Sequence, residues 1–227
     1  MSVSDTIDSL VVEVDTTIRQ KTRRQKVRLY SAGLKAKIKQ ADFALQKLSE
    51  YDNRSDEIIT STGEDDFLIT EQVHFYCDTF WTFLYSSLDV LAQIVNQVLR
   101  LNLKERAVTF KGVKSKLHSR QNASRIQKRF ERCFSSKAFK NLDRYRNCST
   151  HRRQIYMKEE TKSEKGTAGY KSSTTGTVVT VVRTLCDNPL VLSPRTSQNR
   201  RIPKYMAETR DKILRHIELI VKETRPV

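Results

Sequence analysis

One long apolar stretch, from Phe75 to Leu101, constrains the fold of this chain more than any other feature, and we predict that it lies in a helix from about Phe67 to Leu101. Its apolar side chains recur on nearly every side of a helix, and such a helix must be buried on most sides. We therefore expect it to form the central helix of the fold, against which the other elements pack. Its polar residues, among them Asp78, Asp89 and Asn96, would be costly in a lipid bilayer, so we predict a core helix and no membrane contact.

Two further apolar stripes lie in the N-terminal segment, residues 1–51, where steps of three and four predict one long helix or two abutting helices. Ser4 or Asp5 is the predicted N-cap of this segment. Residues 52–65 are mostly polar and predict a loop. We therefore expect residues 1–51 to form a helical segment of its own, in front of the central helix.

Shorter elements follow the central helix. Residues 104–121 are basic and predict irregular structure, whereas apolar spacing predicts helices at about 124–134 and 137–157. Pro203 is suited to the first turn of a last amphipathic helix. The chain has only 6 Gly and 4 Pro, and this scarcity of turn residues argues against an all-strand architecture.

A small β insertion is predicted before the last helix. Residues 177–185 are rich in β-branched side chains, and a second short apolar run follows at 190–192. Together they predict a hairpin at about 176–193, after a loop at 161–176. The predicted fold is mainly α: a helical bundle at 67–222 that contains this β-hairpin insertion.

The positive charge is concentrated in the middle of the chain. The formal net charge is +16, and residues 100–165 hold 20 Lys and Arg against 6 Asp and Glu. A local positive field attracts polyanions and speeds their encounter with the protein. We therefore predict a nucleic-acid partner, and the alternative is a solvated basic surface without a ligand.

Several common classes of function have no motif in this sequence. It contains no P-loop, no dinucleotide-binding fingerprint, no His-Glu-x-x-His zinc motif and no nucleophile elbow. The four histidines and four cysteines lack the spacing of zinc ligands and of paired Cys-x-x-Cys thiols. Because these motifs and spacings are missing, we expect neither a metal nor a cofactor. No signal peptide is visible, so we also expect reduced cysteines and a cytoplasmic location.

One segment combines residues suited to phosphoryl chemistry: Arg146-Asn147-Cys148-Ser149-Thr150-His151. In a helix, Asn147 and His151 lie one turn apart on the same face, and the long side chain of Arg146 can reach round to them. His moves protons near neutral pH, and Arg binds phosphate with two donors and stabilises its developing charge. Because RNA supplies its own nucleophile, the 2′-hydroxyl group, this chemistry requires no metal.

This segment resembles the signature of the HEPN superfamily, in which Arg, often followed by Asn, precedes His with four to six residues between them. The spacing from Arg146 to His151 fits the four-residue version. The resemblance implies a helical bundle across roughly residues 67–222, with the motif on a late helix. It also implies a homodimer in which two motifs share one cleft. The implied activity is that of a metal-independent endoribonuclease of toxin–antitoxin, CRISPR-linked or phage-defence systems.

Other pairs in the chain match the bare spacing. Arg210 and His216 have five residues between them, and Arg144 and His151 have six. A chain with 22 Arg and four His should produce about one such match by chance. The Asn directly after Arg146 makes that pair the better candidate. Arg144 is a candidate auxiliary phosphate ligand, because it would share a helix face with His151.

Further residues are predicted to support the motif. Asp89 lies inside the apolar helix, where a carboxylate needs a partner. We expect it to orient His151 or to pair with one of two arginines, Arg146 or Arg144. The alternative is an acid at the point where the helix emerges from the core. Three basic residues after the motif are candidates for contact with an RNA backbone: Arg152, Arg153 and Lys158.

The sequence thus predicts a HEPN-like endoribonuclease that acts on RNA, forms a homodimer and is controlled by an antitoxin or a sensor protein. Two alternatives stay open. A non-catalytic member would bind nucleic acid through the same basic surface, with a steep dependence on salt and no cleavage. A helical protein-interaction subunit of a defence complex would instead use the long N-terminal helix as its partner-binding arm.

Overall fold

A computed structural model describes the following residues: 2–53, 63–119, 124–151, 157–165, 177–185 and 200–226. The chain divides into two compact units, each with its own buried side chains. The first unit comprises Met1–Gln40, Thr82–Asp143 and Thr209–Val227, and the second comprises Ala41–Trp81 and Arg144–Glu208. The separation of residues 1–51 from a bundle at 67–222 stays a prediction.

Helices dominate the described residues, and the mainly α fold is confirmed. In chain order the helices are α1 (Val3–Thr17), α2 (Lys21–Asn53), α3 (Gly63–Val98), α4 (Phe110–His118), α5 (Ser124–Ser135), α6 (Lys137–His151) and α7 (Ile202–Glu223). A 3-10 turn, Glu105–Ala107, precedes α4. Three strands, β1 (Met157–Lys165), β2 (Thr177–Leu185) and β3 (Arg200–Arg201), form one antiparallel sheet in that order. Among the described residues, no helix has both the length and the hydropathy that a membrane span requires.

The first helix begins earlier than predicted. Ser2, rather than Ser4 or Asp5, is the N-cap: its Oγ accepts from the backbone N–H of Asp5 (3.1 Å), and its own N–H donates to the Asp5 carboxylate (2.7 Å). Hydrogen bonding by Ser2, above all from its backbone N–H to the carboxylate, lowers the pKa of Asp5. Residues 18–20 then separate α1 from α2, so the abutting pair of helices is the arrangement observed.

The central helix α3 ends where the backbone turns left-handed. Arg100 has a φ of 49°, and the N–H of Leu101 donates to the carbonyl of Asn96 (3.1 Å), a closure typical of helix C-termini. The side-chain amide of Asn96 also holds both backbone groups of Leu103, at 3.1 and 3.2 Å. A polar Asn96 is therefore kept within an apolar helix because it fixes the turn that follows.

Residues 104–121 contain a helix, α4, and the prediction of irregular structure there is wrong. Thr109 caps the helix by accepting from the N–H of Gly112 (3.0 Å). The carboxylate of Asp89 accepts from the N–H of Phe110 (2.8 Å), and a negative charge at this end also favours the helix dipole. The helix has nine residues with three buried apolar positions, which is too short a run to show a clear period.

The first unit contains an aromatic cluster that joins α4, α5 and the start of α6. The ring of Phe110 stacks on those of Phe130 (4.7 Å between centroids) and Phe134 (5.1 Å), and Phe139 lies 4.4 Å from Phe134. Such pairs contribute about 0.5–1.5 kcal/mol each beyond the burial of their area. The cluster therefore fixes α5 and the first turns of α6 against α4.

The helix α6 ends at His151, so the predicted extension to about Met157 is wrong. Met157 begins β1, which pairs with β2 from Met157↔Leu185 to Lys165↔Thr177, and the predicted loop is therefore a strand over 161–165. The sequence predicts β2 but not this partner, because β1 has one apolar residue and no alternating pattern. The partner predicted at 190–192 lies outside the described residues.

Candidate active site

The helix α6 carries the whole Arg-Asn-x-x-x-His segment. Asn147 and His151 lie in this one helix, a single turn apart. The side chain of His151 lies outside the described residues, whereas those of Arg146, Asn147 and Cys148 are described. The structure therefore shows how the arginine end of the motif is built.

Arg146 and Asn147 are joined by a hydrogen bond between their side chains. The Nη1 atom of Arg146 donates to the Oδ1 atom of Asn147 at 3.1 Å. Both side chains are half-buried, so the guanidinium is less mobile than a fully exposed one while it still reaches the surface. An amide beside the motif arginine thus restricts the direction in which its donors point.

A stack of aromatic rings fixes α6 at the residue that precedes the motif. The ring of Tyr145 lies 4.7 Å from that of Trp81 on α3, with the planes 13° apart. Tyr205 on α7 lies 6.1 Å from Trp81 and 6.2 Å from Tyr145, and all three rings are buried. Because Tyr145 directly precedes Arg146, the stack fixes the backbone from which the guanidinium extends. Sequence reasoning missed these residues, although the single Trp of the chain on the core helix was an available signal.

The two faces of α6 have opposite character. Leu142, Tyr145 and Cys148 are buried, whereas Arg144 is exposed. At 100° per residue, Arg144 lies about 20° from His151 round the helix, and Arg146 lies about 140° from it. Arg144 therefore shares the face of His151, and Arg146 must extend round the helix to reach the same phosphate. Both arginines stay candidates for the functional one.

Asp89 has a partner in the first unit. Its carboxylate caps α4 through the N–H of Phe110, at 2.8 Å. This bond satisfies the requirement that a carboxylate within an apolar helix be hydrogen-bonded. A link from Asp89 to the motif stays a prediction.

The second Arg-to-His pair, Arg210 and His216 on α7, lies in surroundings that account for both side chains without a ligand. Arg210 donates to Asp211 at 2.8 Å, and burial, with a smaller effect from Arg215, lowers the pKa of His216. At 100° per residue Arg210 and His216 lie about 120° apart, which is similar to the roughly 140° between Arg146 and His151, so this angle does not separate the two pairs. Nothing in this geometry favours the pair over the α6 segment.

The predicted basic contacts after the motif are not described in the structure. Arg152 and Arg153 lie outside the described residues. Lys158 is in β1, but its side chain lies outside the described part of the chain. Their contact with RNA stays a prediction.

The described cysteines are buried thiols. Cys77, Cys133 and Cys148 are free and buried. Burial raises the pKa of Cys133 to about 12 and raises that of Cys77 further, with an added effect from Asp78. A thiol that stays protonated is a poor nucleophile, so Cys77 and Cys133 do not compete with the α6 segment as reactive groups.

Comparison with known proteins identifies one family. Residues 30–183 match the HEPN_Cthe2314-like HEPN family. The match covers more than half of the chain and includes the segment Arg146–His151. No curated protein and no solved structure gives a significant match.

Proposed function

The chain belongs to the HEPN_Cthe2314-like HEPN family, and from this premise we propose that it is an endoribonuclease that cleaves RNA through attack of the 2′-hydroxyl group. HEPN domains often have nuclease or other RNA-related functions. The observation that carries the proposal is the bond from Arg146 to Asn147 on the same helix as His151. This bond supports the proposal because it restricts the direction of the Arg146 guanidinium, which extends from α6 about one and a half turns before His151.

The proposed reaction is an internal transfer of the phosphoryl group. His151 takes the proton of the 2′-hydroxyl group, whose oxygen attacks the adjacent phosphorus. The bond from phosphorus to the 5′-oxygen breaks, and the leaving oxygen takes a proton. The products are a 2′,3′-cyclic phosphate and a 5′-hydroxyl end, with no water consumed and no metal or cofactor required. Arg146 stabilises the charge on the phosphoryl oxygens, and Asn147 positions Arg146 or the phosphate.

In the proposed assembly two copies of the chain form a homodimer. Each copy brings one His151 to a shared cleft, so that one imidazole accepts the proton and the other returns one to the leaving group. Arg144 is an auxiliary phosphate ligand, and Asp89 a supporting residue. The basic residues proposed to contact the RNA backbone after the motif are Arg152, Arg153 and Lys158. The setting is a toxin–antitoxin or anti-phage system, in which an antitoxin or sensor protein controls the activity.

The test is cleavage of total RNA in the presence of EDTA. The wild-type protein should cleave, and His151→Ala should lose activity by at least about a hundred-fold, since general acid–base groups contribute roughly 10²–10⁴ in rate. The new ends should carry 2′,3′-cyclic phosphate, as measured by mass spectrometry of the fragments.

The matched control is His216→Gln, which alters the rival Arg-to-His pair and should leave cleavage unchanged. If His151→Ala retains full activity, or if EDTA abolishes wild-type cleavage, the proposed function is wrong. RNA binding without cleavage in the wild type would instead identify a non-catalytic member of the family.

A further inference from the structure

We propose that exposed basic side chains of α5 and of the start of α6 bind the phosphates of single-stranded RNA. The proposal rests on the proposed function, since it names the surface that holds the substrate. We call this surface the outer basic face, and its residues are Arg125, Lys128, Arg132, Lys137 and Lys140. All five side chains are exposed, and all lie in the first unit.

On α5 the basic residues lie opposite the core. Ile126, Phe130 and Cys133 are buried, whereas the exposed basic side chains occupy positions 125, 128 and 132. Steps of three and four place these three side chains in one row, with neighbouring Cβ atoms about 5–6 Å apart. A row of guanidinium and ammonium groups at this spacing can follow the backbone of one strand.

A single residue joins this row to the next helix. Ser136 ends α5 by donating from its N–H and its hydroxyl group to the carbonyl of Cys133, at 3.1 and 2.6 Å. Its hydroxyl oxygen also accepts from the N–H of Phe139 (3.1 Å) and so caps α6. Lys137 and Lys140 occupy the first turn of α6, directly after this tight joint. The two basic rows are therefore held in a fixed relation.

The acids of this part of the chain are engaged elsewhere. Between residues 106 and 151 the only acidic residues are Glu131 and Asp143. Glu131 accepts from the amide of Gln127 (2.9 Å), and Asp143 pairs with Lys111 (2.9 Å to each oxygen). No residue of the outer basic face forms an ion pair with any other described residue. Its charge is thus available to a ligand.

The character of the face favours a nucleic acid over a protein. Protein interfaces are centred on apolar and aromatic side chains, and the large hydrophobic residues exposed in the described part of the chain lie on α1, α2 and α3: Val12, Leu29, Phe43 and Phe75. The outer basic face offers charge without apolar anchors, which suits contact with phosphates.

The test measures binding separately from cleavage. A His151→Ala protein, which leaves bound RNA intact, is titrated with a short fluorescent single-stranded RNA at several salt concentrations. The surface variant carries five further changes: Arg125→Gln, Lys128→Gln, Arg132→Gln, Lys137→Gln and Lys140→Gln. Its affinity should fall at least about ten-fold, and the slope of log K against log salt should decrease by about 3, since each contact with a single strand contributes about 0.7.

A matched control removes the same number and kind of charges from exposed positions elsewhere. It carries Arg19→Gln, Lys21→Gln, Lys39→Gln, Lys212→Gln and Arg215→Gln, and its salt slope should stay close to that of the parent. Equal losses in the two variants would show a general charge effect and overturn the proposal. So would binding of poly-glutamate as tight as that of RNA, which would mark a docking face for an acidic protein.

Failure of the proposed RNA-binding surface can be distinguished from failure of the proposed ribonuclease activity. If otherwise wild-type protein carrying the five surface changes cleaves and binds RNA normally, the surface assignment is wrong and the proposed ribonuclease stands. If the surface variant loses binding as expected but the wild type never cleaves, the surface stands and the ribonuclease assignment is wrong.

Discussion

Two groups of basic residues in the first unit differ in what their charges contact. Four basic side chains of α2 bind other parts of the chain, whereas those of the outer basic face form no ion pair with any other described residue. The α2 group is Arg23, Lys26, Arg28 and Lys35, which bind respectively the end of α3, Glu105, Asp15 and Asp8. The number of charges in a segment therefore does not indicate a ligand, because the partners of those charges decide whether they are available.

The difference follows from where acids and free carbonyls lie. The last turn of any helix leaves carbonyl groups without partners, and Arg23 donates to those of Gln97 (2.6 and 3.2 Å) and Val98 (3.4 Å) at the end of α3. The α5 row has buried apolar residues on its inner side and solvent on its outer side. The first group thus stabilises the fold, and the second is left for function.

The largest effect on stability is expected for Arg23→Met, which keeps the apolar stem but removes the guanidinium. Arg23 is 8% exposed, and its loss leaves two carbonyl groups in a buried site without their donor. We expect a loss of about 2 kcal/mol from the free energy of unfolding, measured by urea denaturation. The RNA affinity of the folded variant should equal that of the wild type.

The control for Arg23 is Arg19→Met, a change at an exposed basic residue four positions earlier in the chain, which should alter stability by less than about 0.5 kcal/mol. Burial lowers the pKa of Arg23, so removal of its charge also relieves a desolvation cost. If Arg23→Met is as stable as the wild type, that relief offsets the lost hydrogen bonds, and the structural role assigned to the α2 group is wrong.

A smaller effect of opposite sign is expected on the outer basic face. Its residues include three pairs of like charges at spacings of three or four, each of which destabilises a helix slightly. The five Gln substitutions should therefore raise Tm by about 2–4 °C at low ionic strength, and added salt should remove the difference. Substitution of Lys26, Arg28 and Lys35 by Gln should lower Tm instead. Equal signs for the two groups would contradict the comparison.

The sequence was sufficient for the framework of the fold. The apolar run of α3 predicts a buried helix because its pattern is long and continuous, and a helix with many buried residues is observed there. Helices predicted before and after it along the chain are also observed. Two short elements escaped prediction for physical reasons. The helix α4 depends on capping by Asp89 and Thr109, which are distant or polar residues that apolar periodicity ignores. The strand β1 depends on β2 for its hydrogen bonds rather than on its own side chains.

The candidate site was predictable as a motif but not as an arrangement. The pairing of Arg146 with Asn147 follows from their adjacency in the chain. The stack of Tyr145 on Trp81 joins residues 64 positions apart, and no local pattern indicates such a contact. The family match confirms HEPN membership, while the role of each site residue depends on the cleavage experiment.

The smallest expected effect concerns a contact of α2 in which the donor, Tyr30, is a neutral group. Tyr30 donates its hydroxyl hydrogen to Glu105, the same carboxylate that Lys26 binds at 2.9 Å. Burial, and then the hydrogen bond and charge of Glu105, raise the pKa of Tyr30 from 10.0 to about 12. The folded protein therefore keeps the Tyr30 proton to higher pH than the unfolded chain does, so the contribution to stability is complete below pH 10 and disappears towards about 12.

The difference in Tm between the wild type and Tyr30→Phe should shrink over that pH window. Lys26→Gln, which keeps the phenol, should retain the pH dependence. A constant difference would show that Tyr30 acts through packing alone, and that the contact of α2 with Glu105 depends on Lys26.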